Sequence, residues 1–299
     1  MNSPAFLGFA LSRFFRQSGA LDVRIPRWTS ARATGRPHLS AAAKRIGITV
    51  EIGPLQAILL VAAGAIAGFV NVMAGGGSLL TIPALLFTGL PAPVANGSNR
   101  IAILLQNVSA VTSFFRKGYS DLRLSLSLSA CAIPGAIAGA FFGTKLSGVW
   151  FNRTLAAIML TVMILMALKG KKAEPTASRP IRSRMMLGHV LMVGAGFYGG
   201  FIQAGVGFIM MFVLHRVIGL DLVRVNMHKV FIIGCYTIVA LTVFALNGKV
   251  NWPAGLVLAI GNMTGAWIGA RFAIKKGERV IRLVLNVALA AIIVKLLLP

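Results

Sequence analysis

The stretch Gly68-Phe69-Val70-Asn71-Val72-Met73-Ala74-Gly75-Gly76-Gly77-Ser78 decides the fold, because it interrupts an apolar run that would otherwise form one long helix. A second break, Gly200-Phe201-Ile202-Gln203-Ala204-Gly205-Val206-Gly207, lies about 130 residues later. A helix that ends inside lipid exposes backbone N–H and C=O groups, so such a break is stable only within protein or beside a watery cavity. Two breaks in corresponding halves are typical of a transporter's substrate site.

The composition is that of a helical membrane protein. The 299 residues are 57% hydrophobic and 12% charged, whereas soluble domains are about 25% charged. The apolar residues form runs close to the roughly 20 residues that one membrane helix requires. We therefore predict an all-α, polytopic membrane protein whose first partner is the lipid bilayer.

The net charge of +24 does not indicate nucleic acid here. The basic residues lie in short loops between apolar segments, where the preference for positive charge on the inner side of the membrane explains them. The acidic residues all lie in the N-terminal tail or at segment ends: Asp22, Glu51, Asp121, Glu174, Asp221 and Glu278. Because none is in the middle of a span, a carboxylate proton relay is disfavoured.

The apolar segments fall into two sets of five. They are predicted at 54–72, 78–90, 100–115, 122–143 and 150–168, and at 186–203, 207–220, 229–246, 252–273 and 280–298. We predict a first repeat at 50–168, a basic cytoplasmic linker at 169–185 and a second repeat at 186–299. The Arg-rich tail, 1–49, is predicted to be poorly ordered and outside the core, either as a targeting segment or as an over-extended start before Val50.

The two halves are predicted to be inverted repeats. Gly89 and Gly118 match Gly219 and Gly248 at an offset of 130. Five segments per half is an odd number, so a tandem duplication reverses the second half. With the first span starting outside, sixteen basic residues fall on inner positions and five on outer positions, which supports this topology. The second segment of each half is short for a roughly 30 Å core, so eight spans with re-entrant hairpins and ten full spans both remain open.

Glycine recurs at every fourth residue in one segment of each half. The matched positions are Gly135, Gly139 and Gly143, and Gly261, Gly265 and Gly269, at an offset of 126. Such a stripe lets two helix backbones approach closely. We interpret it as packing.

Each glycine break is predicted to begin a helix, the first with Ser78 as N-cap and the second after Gly207. The first N–H groups of a helix and its dipole favour an anion, and a cation would want carboxylates that the spans lack. The predicted substrate-binding residues at the breaks are Asn71, Gly75, Gly76, Gly77, Ser78, Gln203, Gly205 and Gly207. The alternative is a tight turn that packing requires.

A second candidate group follows the short segment of each half. The sequences are Asn96-Gly97-Ser98-Asn99-Arg100 and Asn226-Met227-His228-Lys229. Arginine offers an oxyanion a two-pronged fork and lysine a point charge. We predict that Asn99, Arg100, His228 and Lys229 join the substrate site, with His228 as its titrating group. The alternative is that the two cations are anchors reaching the membrane surface.

The sequence contains no nucleophile–base pair, phosphate loop or metal-ligand cluster. We therefore predict no enzymatic activity, no cofactor and no metal site. Gln106 and Asn107 are predicted to line a cavity, while the other hydroxyl and amide side chains of the spans are interpreted as contacts between helices.

The stretch from Gly68 to Pro83 resembles the signature of the TauE/SafE family of sulfite and organosulfonate exporters. The following Gly89-Leu90-Pro91, then Asn99-Arg100, also fit, and the resemblance extends over about residues 54–298. It implies a multi-pass plasma-membrane protein of two similar halves that exports sulfite or related sulfur-containing anions. Val206 departs from the pattern, since the first break has Gly76 there.

We therefore expect a transporter of a small anion that works by alternating access. The alternatives are a passive anion channel and a membrane scaffold or assembly protein without transport. The sequence specifies neither the oligomeric state nor the substrate.

Overall fold

The structure, a computed structural model, describes residues 52–145, Arg153 and residues 181–297. Within these residues every regular element is helical, which confirms the all-α prediction. The helices are α1 (Pro54–Ala74), α2 (Ser78–Phe87), α3 (Ala92–Phe115), α4 (Leu122–Lys145), α5 (Ile181–Phe201), α6 (Val206–Phe212, continued by a π-helical turn at Val213–Val217), α7 (Leu222–Leu246) and α8 (Trp252–Leu297).

Among the described residues, four helices are long and apolar enough to cross a membrane. They are α1, α4, α7 and the part of α8 that covers Trp252–Lys276, whereas α2 and Val206–Val217 are shorter apolar helices. Large apolar side chains point outward, such as Ile58 and Leu246, while Arg100 is fully buried. Apolar residues outside and polar residues inside are what a lipid environment favours.

Several predicted boundaries lie outside the described residues or are wrong. The tail 1–49, nearly all of the segment 150–168 and most of the linker 169–185 lie outside them, and α5 already begins at Ile181. The segments predicted at 252–273 and 280–298 are one helix, α8. The charged residues between them, such as Lys275 and Lys276, are good helix formers, and charge alone does not end a helix.

Helices α3 and α7 begin earlier than predicted, at Ala92 and Leu222 rather than at 100 and 229. Asp221 caps α7, since its carboxylate accepts hydrogen bonds from the N–H groups of Val223 and Arg224 at 3.1 and 3.0 Å. The polar stretches at 96–100 and 226–229 are therefore the second and third turns of helices. Hydropathy does not identify these turns as helical, because their buried polar residues lower the local mean hydropathy to a value typical of loops.

The glycine stripes make two matching contacts between the halves. A Cβ on Gly139 of α4 would overlap the carbonyl oxygen of Phe197 on α5, and a Cβ on Gly265 of α8 would overlap that of Ala65 on α1. The second contact repeats the first, because Gly265 lies 126 residues after Gly139 and Phe197 lies 132 residues after Ala65. These contacts confirm that the glycine stripe is a packing feature. They also show that each half packs against the first helix of the other half, α4 against α5 and α8 against α1.

Candidate functional site

The two glycine breaks lie in direct contact. Helix α1 ends at Ala74, and Gly75 and Gly205 both adopt left-handed backbone conformations, with φ of 89° and 75°. A Cβ on Gly75 would lie 2.5 Å from the carbonyl carbon of Gly207, and a Cβ on Gly207 would overlap the backbone of Gly75. Only glycine fits at these two positions, because each backbone occupies the space of the other's side chain.

The helix starts after the breaks differ from the prediction. Ser78 is the first residue of α2 rather than its N-cap, which is Gly77 and has no side-chain cap. Asn71 satisfies this helix start instead, since its Oδ1 accepts a hydrogen bond from the N–H of Gly77 at 3.3 Å. The second helix begins at Val206, before Gly207. A Cβ on Gly76 would come within 2.5 Å of the ring of Phe208, so the break residues Gly75 and Gly76 both face the second break.

Arg100 holds the end of the helix that precedes the second break. Its Nη1 donates to the carbonyl of Gly199 at 3.1 Å and to Oε1 of Gln203 at 3.3 Å, and its Nη2 donates to the carbonyl of Gly200. The guanidinium carbon lies 4.4 Å from the ring centre of Phe244, a favourable cation–π geometry. Nε of Arg100 is buried and has no hydrogen-bond partner in the protein, so its N–H is still available to a ligand.

Lys229 holds the end of the helix that precedes the first break. Its Nζ donates to the carbonyls of Asn71 and Val72 at 3.1 and 2.9 Å and to Oδ1 of Asn226 at 2.7 Å. An ammonium has three hydrogens, so these three bonds use all of them. Cations at helix C-termini satisfy free carbonyls and the negative end of the dipole. Each half thus supplies the cation for the other half's break.

The alternative that these cations are surface anchors is wrong, because Arg100 is 0% and Lys229 1% exposed. Neither has a carboxylate partner among the described residues. Asp121 and Asp221 are exposed, and Asp221 pairs with Arg224 at 3.4 Å. Buried charge without a counter-ion is unfavourable, and the described residues supply no carboxylate to offset it.

The remaining predicted residues divide between this region and its surroundings. Gln203 lies at the break with φ of 68°, a left-handed conformation that is strained for a residue with a side chain. His228 Nδ1 shares a 2.8 Å hydrogen bond with Oγ of Ser125 on α4, whereas the neighbouring Lys229 reaches α1. The structure therefore brings Asn71, Gln203, Arg100 and Lys229 to the breaks and places His228 against α4.

The buried polar residues that the sequence reasoning missed include Thr237 and Asn262. Both are fully buried, and their side-chain polar atoms have no partner in the protein. Gln106 and Asn107, the predicted cavity residues, are buried and unpartnered in the same way. Thr237 lies 130 residues after Asn107, so the repeat offset was a usable signal. Across the described residues, no three His, Cys, Asp or Glu side chains are grouped to hold a metal.

Comparisons with known proteins agree on a transporter family. A family model described as Sulfite exporter TauE/SafE matches residues 60–296. The probable membrane transporter protein ORF9 of Sinorhizobium sp is 30% identical over 81% of this chain and 92% of its own length. The probable membrane transporter protein YfcA of Escherichia coli K12 is 28% identical over 82% of this chain and 91% of its own length. A probable membrane transporter protein of Haemophilus influenzae is 28% identical over 78% of this chain and 91% of its own length. No solved structure matches.

Proposed function

Because this chain belongs to the sulfite exporter TauE/SafE family of membrane proteins, we propose that it carries a small anion across the plasma membrane by alternating access. The substrates are sulfite or related sulfur-containing anions and organosulfonates. In this proposal the chain is a multi-pass protein whose two halves are inverted repeats, and it performs no enzymatic reaction.

The observation that carries the proposal is the pair of buried cations at the two glycine breaks. Arg100 and Lys229 are enclosed by carbonyl and amide oxygens, and the described residues offer them no carboxylate. A carbonyl lowers the cost of burying a cation without neutralising it, and the guanidinium of Arg100 keeps its charge because arginine is not deprotonated in proteins. Because the Coulomb attraction between charges grows as the dielectric constant falls, an anion that enters this region is strongly favoured over a cation.

The two cations have different roles in the proposal. Arg100 keeps one unpartnered donor, Nε, and can contact the anion while it still holds the end of α5. All three donors of Lys229 are used, so it acts through its field and by holding α1 in place. Val206, which is buried where the first break has a glycine, adds to this inequality between the halves.

The matching contacts of α4 with α5 and of α8 with α1 support two equivalent halves. Each half provides a broken helix pair and a cation for the partner half. In the proposal, rocking of one half against the other opens the region around the breaks to each side of the membrane in turn.

The test is sulfite flux through purified protein in liposomes. Arg100→Gln removes the charge and the Nε donor, whereas Arg100→Lys keeps the charge, so we expect a loss of at least tenfold in flux for the first and a smaller loss for the second. Arg224→Gln, at an exposed arginine, is the matched control and keeps wild-type flux. Monodisperse protein with unchanged Tm confirms folding of each variant.

Equal flux in Arg100→Gln and Arg224→Gln would refute the role of Arg100. Wild-type flux that does not saturate and follows the voltage would assign a passive channel. The absence of anion flux from folded wild-type protein would leave the scaffold alternative.

A further inference from the structure

Four buried neutral side chains lie away from the glycine breaks and have no partner in the protein. We call Gln106, Asn107, Thr237 and Asn262 the neutral cluster. Their exposed fractions are at most 1%, and both polar atoms of each of the three amides are unpartnered. Leaving a buried donor or acceptor unpaired costs about 1–3 kcal/mol. A set of seven such atoms therefore indicates a group from outside the chain.

Packing brings the cluster together from three helices. Asn107 faces α7, because its Cβ lies 3.5 Å from the position of a Cβ on Gly234, one helical turn before Thr237. Gln106 faces α8. On that side Ser109, one turn further along α3, donates to the carbonyl of Met263 at 3.2 Å.

The register between α3 and α8 places Gln106 within one helical turn of Asn262. A Cβ on Gly255 would lie 2.6 Å from Ile101, and Ser109 bonds Met263, so the two helices run side by side in step. Asn262 also lies against α1, since its backbone carbonyl would be overlapped by a Cβ on Gly68. Gly68 is two turns before the first break, so the cluster lies about 10 Å from the break along α1.

The chemistry of the cluster suits an oxyanion. Three amides provide N–H donors, and the threonine provides one O–H donor. Their oxygens are equally able to bind a cation such as sodium, but the nearest buried charges, Arg100 and Lys229, are positive and lack a described carboxylate. Their field opposes a cation and attracts an anion.

We propose that the neutral cluster is a second anion subsite, in which side-chain N–H and O–H groups replace the water around the oxygens of a sulfite or sulfonate group. This inference rests on the proposed function and deepens it. The cations attract the anion, and uncharged donors bind it. Uncharged donors bind the anion less tightly than a charged side chain would, so the anion can be released again, as transport requires. Asn99, seven residues before Gln106 on one face of α3, continues the same row of amides toward Arg100.

The test uses apolar variants of similar shape, Gln106→Met and Asn107→Leu, in the full-length protein. Removing an unpartnered buried amide leaves the protein equally stable or more stable without ligand. A lost hydrogen bond to a charged ligand weakens binding about tenfold or more. We therefore expect unchanged or higher Tm without anion, and at least a tenfold higher Kd for methanesulfonate and sulfite, measured from the Tm rise that each anion causes. Asn247→Leu, at the exposed amide directly after the end of α7, is the matched control and keeps the wild-type Kd.

The outcomes separate this inference from the proposed function. If wild-type protein binds and transports the anions and both variants keep its Kd and flux, the inference is wrong and the function stands. If sodium chloride raises the Tm of wild-type protein as sodium methanesulfonate does, while Gln106→Met abolishes both rises, the cluster binds sodium and the inference is again wrong. If wild-type protein neither binds nor transports any of these anions, the proposed function itself fails.

Discussion

At the scale of single residues, Lys229 shows how a buried charge stabilises a broken helix. Its three hydrogen bonds reach two carbonyls at the end of α1 and one amide oxygen on its own helix. Arg100 does the same for α5 and keeps its Nε unpartnered. In the proposed function these side chains combine a structural and a functional role, unequally between the halves.

Lys229→Met tests the structural role. The variant leaves two buried acceptors without a donor, the carbonyl of Val72 and Oδ1 of Asn226. The carbonyl of Asn71 still accepts from the N–H of Gly75. Unpaired acceptors cost about 1–3 kcal/mol each, so we expect the free energy of unfolding to fall by about 2 kcal/mol or more, visible as a clear drop of Tm in detergent. Lys117→Met, at an exposed lysine, changes the Tm little. Equal Tm values for the two variants would show that Lys229 does not hold α1.

At this scale the sequence identified the residue types but not their partners. Arg100 and Lys229 were selected because a cation follows an amide in both halves. Their partners lie 99 and 158 residues away along the chain, at Gly199 and Asn71, and depend on how the halves pack. Thr237 and Asn262 carry no local signal, since one polar residue in a membrane helix usually bonds a neighbour.

At the scale of elements, glycine determines where helices end and where they touch. The breaks were predictable, because glycine runs interrupt apolar segments that have the right length for spans. The starts of α3 and α7 were not, because the buried polar residues of their second and third turns have the hydropathy of a loop. Burial inside the helix assembly, which the sequence does not display, made those turns helical.

Two glycines of α5 provide a matched test of the packing. A Cβ on Gly196 would overlap the carbonyl oxygen of Ala132, whereas a Cβ on Gly194 meets nothing within 4 Å. Gly196→Ala must push α4 and α5 apart, so we expect a loss of about 1–3 kcal/mol and a lower Tm. Gly194→Ala leaves the stability unchanged or raises it by up to about 1 kcal/mol, because alanine favours helix. Similar Tm values for both variants would contradict the close contact.

At the scale of the whole molecule, the halves are interlocked rather than side by side. Helix α4 of the first half lies on α5 of the second, and α8 of the second lies on α1 of the first. The breaks meet at Gly75 and Gly207, and each cation crosses to the other half. Any motion of one half must therefore change the surroundings of both breaks, as alternating access requires.

If the halves are inverted, as we propose, matched turns lie on opposite sides of the membrane. Lys117 and Asn247 are 130 residues apart and lie in the turns that follow α3 and α7, each directly before a glycine with positive φ, Gly118 or Gly248. After replacement of Cys131 and Cys235 by alanine, Lys117→Cys should react with an impermeant maleimide only from the cytoplasmic side. Asn247→Cys should react only from the opposite side. Labelling of both from one side would exclude inverted halves.

The central claim, that the buried positive region at the breaks carries a sulfur oxyanion, is tested most directly by the initial rate of sulfite entry into liposomes that contain the purified protein. The measurement is made without oxygen, at zero membrane potential and over a range of sulfite concentrations. We predict a rate that saturates, that methanesulfonate inhibits by competition, and that falls at least tenfold in Arg100→Gln. A rate equal to that of protein-free liposomes would contradict this role of the buried positive region. So would a rate that rises without saturation and is the same in Arg100→Gln as in the wild type.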